Sequence, residues 1–140
     1  MLISICPADA IIGWGSQRID SRDLLSTDFV AIAAGRQHNL ALKLDGSIVG
    51  WGRDIYGQAS PPAGNDFVAI AAGGLHSLAL MSDGSIVGWG SNDYGQASPP
   101  AGNDFVAIAA GWRHSLALKS DGSIICWGDD CYGQARPLPA

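Results

Sequence analysis

Residues 67–90 read Phe67-Val-Ala-Ile-Ala-Ala-Gly-Gly-Leu-His-Ser-Leu-Ala-Leu-Met-Ser-Asp-Gly-Ser-Ile-Val-Gly-Trp-Gly90, and this stretch decides the fold. Its short apolar runs, broken by Gly and Asp-Gly, are typical of short strands joined by tight turns. The stretch recurs every 38 residues, as the spacing of Trp51, Trp89 and Trp127 shows. Thirty of 38 positions are identical between residues 51–88 and 89–126. The sequence is therefore a tandem repeat of one all-β unit.

Each unit divides into four short segments, which we predict to be the antiparallel strands of one β-propeller blade. For residues 67–104 the predicted strands are Phe67–Ala72, Ser77–Met81, Ser85–Trp89 and Tyr94–Ser98. Asp83-Gly84 is predicted to form the centre of a hairpin turn with positive φ at both positions. Pro99-Pro100 ends the pairing, because proline has no N–H to donate to a ladder. Four-stranded units with a period near forty residues are typical of propellers, whose blades bury their faces against one another.

The repeat also predicts the domain organisation. Residues 1–15 align without gaps with residues 38–52, so residues 1–28 are predicted to be a partial N-terminal blade with strands two to four. Three complete blades follow in the same propeller domain, at about 29–66, 67–104 and 105–140. Such an arc leaves strand edges and a blade face uncovered, which favours association. We expect homo-oligomerisation to close the ring, with a dimer favoured; the alternative, a piece of a longer propeller, stays open.

Composition excludes several classes of protein. The net charge is −5 and the eight Lys and Arg residues are scattered, so the basic stripe required for nucleic-acid binding is missing. No apolar run is long enough to span a membrane, and the apolar start is too short for a signal peptide. We therefore expect a reduced, cytoplasmic setting. Three cysteines make neither a disulfide framework nor a metal site, although a bridge between Cys126 and Cys131 stays open.

The repeated histidines and serines argue against catalysis. His38, His76 and His114 occupy the same place in three blades, so propeller symmetry spaces them around the ring instead of bringing them to one ion. Ser77 and Ser115 follow the same rule, and repeated side chains do not assemble a nucleophile–base pair. We expect these histidines to form hydrogen bonds within or between blades. The sequence predicts no enzyme activity, no cofactor and no metal.

The informative residues are those that differ between matching blades. Five of the eight differences between residues 51–88 and 89–126 fall in the segments 53–55 and 74–75 and their equivalents. In an up-down-up-down blade, the loops after strands one and three lie on the same face. This face is rich in Trp, Tyr and Arg, which are enriched at interface hot spots; free drift of exposed loops is the alternative. The predicted partner-binding residues are Arg36, Gln37, Arg53, Asp54, Tyr56, Leu75, Asn92, Asp93, Tyr94, Trp112, Arg113, Asp129, Asp130 and Tyr132.

The spaced elements GxxHSLALxSDGSIxxWGxNxYGQ resemble the regulator of chromosome condensation repeat, over about residues 1–136. This resemblance implies a β-propeller, commonly of seven blades. The connector from Gln96 to Ala101 is similar to that of the compact bacterial branch, which includes a propeller inhibitor of β-lactamases. In such inhibitors, aromatic residues at positions equivalent to 74–75 and 112–113 belong to the partner-binding face. Here only Trp112 is aromatic among them.

Together these observations predict a non-enzymatic binding module that presents a loop-rich face to a protein partner and assembles into a closed ring. Three alternatives remain at this stage. The first is a protein inhibitor of a secreted enzyme such as a β-lactamase. The second is a guanine-nucleotide exchange factor-like regulator, as in the eukaryotic branch that acts on the Ran GTPase. The third is a structural repeat whose only activity is ring assembly.

Overall fold

A computed structural model describes residues 28–129 of the chain. These residues form three antiparallel sheets of three strands each, in the spatial order of the sequence. We refer to the sheets, in chain order, as blades 1, 2 and 3. The partial blade predicted over residues 1–28 lies outside the described residues, apart from Asp28. The strands are β1 Phe29–Ala34, β2 His38–Lys43, β3 Ile48–Gly52, β4 Phe67–Ala72, β5 His76–Met81, β6 Ile86–Gly90, β7 Phe105–Ala110, β8 His114–Lys119 and β9 Ile124–Gly128.

The hairpin turn between the second and third strands differs from the sequence prediction by one position. Gly46 N donates to Lys43 O at 3.0 Å, so Leu44 and Asp45 are the central residues. Gly46 follows them with φ 88°. The Asp45 carboxylate accepts hydrogen bonds from the N and Oγ of Ser47, at 2.9 and 2.6 Å. These local bonds stabilise the three-residue loop with its glycine bulge, so the prediction of Asp-Gly at the turn centre is wrong.

The prediction of a fourth strand is also wrong for blades 1 and 2. Residues 54–60 of blade 1 form turns, because Asp54 already accepts the hydrogen bonds that a ladder would need. Its carbonyl accepts from Gly57 N at 3.1 Å, and its carboxylate accepts from Ala59 N at 2.7 Å. The segment nevertheless lies beside β3, since a Cβ on Gly50 would come within 2.3 Å of Ala59 O. It occupies the place of a fourth strand without strand pairing.

The core lies between the blades. Leu40, Leu42 and Ile48 on the face of blade 1 form a buried cluster with Phe67 and Ala79 of blade 2. We call the Leu, Leu and Ile of each blade its apolar socket, because the phenylalanine that begins the next blade packs against it. The socket of blade 2 consists of Leu78, Leu80 and Ile86, and it forms the corresponding cluster with Phe105 of blade 3.

A polar connection runs beside each filled socket. Ser77 Oγ donates to Gln58 O at 2.8 Å, which uses its single hydroxyl proton. The 2.8 Å contact between His38 Nε2 and Ser77 Oγ therefore has the histidine as donor. Trp89 Nε1 donates to the same Gln58 carbonyl at 3.0 Å. His76 and Ser115 repeat the contact at 2.9 Å, so His38 and His76 hydrogen-bond between blades as predicted.

Candidate functional site

The two groups of variable loops lie together on one face of the described blades, as predicted. The inner loops, 35–37, 73–75 and 111–113, follow the first strands, and the outer loops, beginning at residues 53, 91 and 129, follow the third strands. A backbone hydrogen bond joins inner to outer loop in every described blade, as from Arg53 N to Gln37 O at 2.7 Å. We call this surface the loop face. The opposite surface, with the hairpin turns and the proline-containing connectors, is the turn face.

The inner loops also contact each other from blade to blade through their backbones. Arg36 N donates to Gly73 O at 3.2 Å, and Gly74 N donates to Gly111 O at 3.2 Å. A Cβ on Gly74 would lie 2.4 Å from Trp112 O, so a side chain at this position of blade 2 would force the neighbouring backbone to shift. The inner loops are therefore held by main-chain bonds that do not depend on most of their side chains.

One cation–π contact crosses the blades on this face. The Arg36 guanidinium of blade 1 lies 4.5 Å from the ring centroid of Trp112 in blade 3. The equivalent residue of the intervening blade is Gly74, whose missing side chain leaves room for this contact. Trp112 remains 53% exposed. A large aromatic ring is thus held in place by a cation while about half of its surface stays accessible.

A second cation–π contact joins neighbouring blades. The Arg113 guanidinium lies 4.9 Å from the ring centroid of Tyr94, and its Nη1 donates to the tyrosine hydroxyl at 3.0 Å. Tyr94 belongs to the outer loop of blade 2, and Arg113 to the inner loop of blade 3. The equivalent positions one blade earlier hold Tyr56 and Leu75, which lack the charge. We call Arg36, Tyr94, Trp112 and Arg113 the Arg–aromatic cluster.

The remaining predicted residues fall into three groups. Asp54 and Asn92 hold their own loops, since the carboxylate of Asp54 and the amide oxygen of Asn92 accept from Ala59 N and Ala97 N at 2.7 and 2.9 Å. Ile55, an exposed apolar residue of the outer loop, is absent from the predicted set although its position differs between blades. Asp130 and Tyr132 lie outside the described residues. The others lie exposed or half-buried on the loop face: Gln37, Arg53, Tyr56, Leu75, Asp93 and Asp129.

Charge is distributed differently on the two faces. Within residues 28–129, Arg36, Arg53 and Arg113 all lie on the loop face, whereas Lys43 and Lys119 lie towards the turn face. Turn-face carboxylates are engaged locally; the hydrogen bonds from Ser47, for example, lower the pKa of Asp45. Asp83 and Asp121 have the same arrangement with their own serines. The arginines of the loop face are therefore concentrated where the side chains vary.

The described residues offer no centre for metal chemistry and no membrane helix. Between residues 28 and 129, no group of His, Cys and Asp side chains is placed to hold a metal ion. Within the same range, no helix is long and apolar enough to cross a membrane. Cys126 is a free, half-buried thiol, and burial raises its pKa, which disfavours the reactive thiolate. Its possible partner, Cys131, lies outside the described residues.

A profile of the regulator of chromosome condensation (RCC1) repeat matches residues 29–58, 67–96 and 105–134, together more than half of the chain. The chain belongs to the RCC1 repeat family. Propellers of this repeat family are generally binding or regulatory modules without enzyme activity. The closer likeness to the bacterial branch stays a prediction. A comparison with curated protein sequences found no match.

Solved structures share the arrangement of these blades. Prp20p from Saccharomyces cerevisiae, a structure described with its binding properties to Gsp1p and histones, is 26% identical to this chain. The match has a TM-score of 0.63 and covers 71% of this chain and 30% of Prp20p. A structure of Kap60 bound to yeast RCC1 (Prp20) gives 23% identity, a TM-score of 0.64 and coverage of 81% and 37%. Human WBSCR16 gives 23% identity, a TM-score of 0.62 and coverage of 71% of this chain and 33% of that one. The chain thus spans about a third of each, and the described sheets are propeller blades.

Proposed function

We propose that this chain is a non-enzymatic binding module that presents its loop face to a protein partner. The observation that carries the proposal is Trp112, which stands half exposed on that face with the Arg36 guanidinium stacked on its ring. Trp, Tyr and Arg dominate binding hot spots because they bury a large area and pair in specific geometries. Members of the same family support this assignment, since Prp20p is described with its binding to Gsp1p and histones.

The chemistry of the Arg–aromatic cluster favours a partner that carries carboxylates beside an apolar group. A guanidinium that uses its flat face against a ring still has N–H groups along its edge, and these match the geometry of a carboxylate. Arg36 and Arg113 are both placed in this way. The turn face is less suited to this partner, because its described cations, Lys43 and Lys119, lack the planar N–H edge of a guanidinium.

The proposal is tested with peptides as probes. Phage-displayed random peptides are selected for binding to the full chain. The most enriched peptide is synthesised, and its Kd is measured for wild-type and variant chains. We expect acidic peptides with an aromatic residue, and we expect Trp112→Ala and Arg113→Ala each to weaken binding about tenfold or more. Leu44→Ala and Lys43→Ala remove an exposed apolar group and a cation from the turn face, and should leave Kd unchanged. Equal losses for both pairs of variants would overturn the proposal.

We further propose that the chain associates with copies of itself, with a dimer as the smallest assembly. Blade 3 exposes its apolar socket, whereas the equivalent residues of blades 1 and 2 are buried. Exposed blade faces of this kind favour association. Light scattering on the purified full chain should give a mass of at least two chains, in the reduced conditions expected for a cytoplasmic protein. A monomer mass at micromolar concentration would remove this second proposal.

A further inference from the structure

The loop face contains two seams, the first between blades 1 and 2 and the second between blades 2 and 3. At each seam, a tyrosine of the outer loop donates its backbone N–H to the side chain of a buried glutamine. Tyr56 N donates to Gln58 Oε1 at 2.9 Å, and Tyr94 N donates to Gln96 Oε1 at 2.8 Å. The two seams therefore share one backbone frame, and each lies between two described blades.

The side chains on this shared frame differ between the seams. The outer loop has Ile55 at the first seam and Asp93 at the second. The inner loop of the following blade has Leu75 at the first seam and Arg113 at the second. Arg113 contacts Tyr94 at the second seam, and Leu75 holds the equivalent place in the repeat at the first. One frame thus presents two different sets of side chains.

The first seam offers apolar surface to a partner. Ile55 is 66% exposed and Tyr56 is 50% exposed, and Leu75 is half-buried. Single exposed apolar side chains are ordinary on a protein surface, but these three belong to the two loops that meet at one seam. Apart from the tyrosine hydroxyl, their side chains have no group that forms hydrogen bonds. A partner is therefore bound at the first seam by burial of apolar surface.

The second seam offers a positive charge. The Arg113 guanidinium lies 4.9 Å from the centroid of the neutral Tyr94 ring and donates to its hydroxyl at 3.0 Å. Among residues 28–129, no carboxylate forms an ion pair with this guanidinium. Its remaining N–H groups match the geometry of a carboxylate from a partner. The two seams are thus complementary to two different chemical groups.

The distance between the seams sets the spacing of these two groups in a partner. Stacked sheets lie about 10 Å apart, and an extended peptide advances about 3.3 Å per residue. An extended segment that crosses the loop face from seam to seam would therefore place side chains about three or four residues apart at the two positions.

We propose that the two seams together bind one acidic segment of a partner protein, with a carboxylate on Arg113 and an apolar side chain on Leu75 and Tyr56. The two groups are about three or four residues apart in the segment. The inference rests on the proposed binding function and adds a second contact to that of the Arg–aromatic cluster. Leu75 is then a specificity-determining residue, because arginine at the same position of the repeat would favour a second carboxylate.

A specificity switch on the full chain tests this inference. The most enriched peptide from the phage selection should carry an apolar residue about three or four positions from a carboxylate; a peptide without one would contradict the inference. This peptide is synthesised in its apolar form and in a Glu form, with Glu at that apolar position. Fluorescence anisotropy then gives the Kd of both forms for the wild-type chain and for Leu75→Arg.

The expected result is a reversal of preference. The wild-type chain should bind the apolar form about tenfold more tightly than the Glu form, and Leu75→Arg should bind the Glu form more tightly. Tight binding of the Glu form also shows that this variant is folded. Leu75→Ala is the milder variant, in case arginine disrupts the loop. It should weaken binding of the apolar form about tenfold and leave binding of the Glu form unchanged.

Leu44→Arg is the matched control, because it adds the same charge to the turn face, where Leu44 is 74% exposed. It should keep the wild-type preference, since salt screens exposed charges that are more than about 10 Å apart. If Leu75→Arg shifts the preference no more than Leu44→Arg does, or if Leu75→Ala binds both forms as the wild-type chain does, the contact at the first seam is wrong while the binding function stands. If no selected peptide depends on Trp112 and Arg113, the binding function fails and this inference with it.

Discussion

The turn face and the loop face of this protein are built from the same repeat, yet the differences between blades are concentrated on the loop face. On the turn face, the backbone of each connector passes so close to the preceding hairpin that Gly46 and Gly84 have no room for a side chain. On the loop face, backbone bonds such as Gly74 N to Gly111 O hold the loops together. Most loop side chains are consequently free to differ. The comparison shows that main-chain hydrogen bonds let most loop-face positions change, with Gly74, which faces Trp112 O closely, as an exception.

The largest effect is expected on the turn face, from alanine at two glycines that share one backbone conformation. Gly84 and Gly122 have φ values of 88° and 87°, but only Gly84 faces a backbone oxygen, Asn103 O. Gly122→Ala should cost about 1 kcal/mol for the positive φ alone. Gly84→Ala should cost about 4 kcal/mol, because the carbonyl must also move. Urea unfolding measures both, and equal losses would show that the close approach is unimportant.

A smaller effect is expected from the histidines beneath the inner loops. His76 is fully buried, and its pKa is lowered from 6.5 to about 4, mainly by burial and then by the neighbouring His38 and His114. His76 is therefore protonated near pH 6.5 in the unfolded chain, but only near pH 4 in the folded chain. Stability should be complete above pH 6.5 and fall by about 3 kcal/mol as the pH drops towards 4.

This pH dependence is measured by urea unfolding between pH 7.5 and 4.5, above the range in which the turn carboxylates titrate. A His76→Gln variant lacks the titrating group and should show a flatter profile, whatever its absolute stability. An unchanged slope in this variant would assign the pH dependence to other groups.

The smallest effect on stability is expected on the loop face. Arg36→Ala removes the stacking on Trp112 and should cost at most about 1 kcal/mol, because the contact is exposed to solvent. Arg53→Ala, an exposed arginine of the same face, is the control and should change stability by less than about 0.5 kcal/mol. Thermal unfolding measures both. A loss for Arg36→Ala as large as that for Gly84→Ala would mean that the cluster stabilises the fold instead of serving a partner.

Sequence reasoning predicted the repeat, the propeller class and the shared face of the variable loops. It failed for the fourth strand, because Asp54 and Asn92, which it assigned to partner binding, accept the hydrogen bonds of their own loops. It also placed Asp-Gly at the turn centre, whereas the serine after the glycine supplies the bonds that shift the turn by one residue. Both errors come from side-chain acceptors that compete with a strand ladder, which strand patterns do not register.

The Arg–aromatic cluster was predicted only as a set of residues on one face. Its pairing of Arg36 with Trp112 depends on the stacking of three blades and on the absence of a side chain at Gly74. These two residues are 76 positions apart, two repeats of 38 residues. No local pattern in the sequence connects them.

By itself, the sequence determined the blade, because the period, the glycine placement and the short apolar runs are local properties that each 38-residue unit carries in full. The tertiary structure decided how the blades use their surfaces. Within residues 28–129, identical sockets are filled in blades 1 and 2 and exposed in blade 3, since burial depends on what lies next to a residue and not on which residue it is. For the same reason, two residues at one repeated loop position differ in role. Gly74 leaves room for the contact between Arg36 and Trp112, and Trp112 presents a half-exposed aromatic ring.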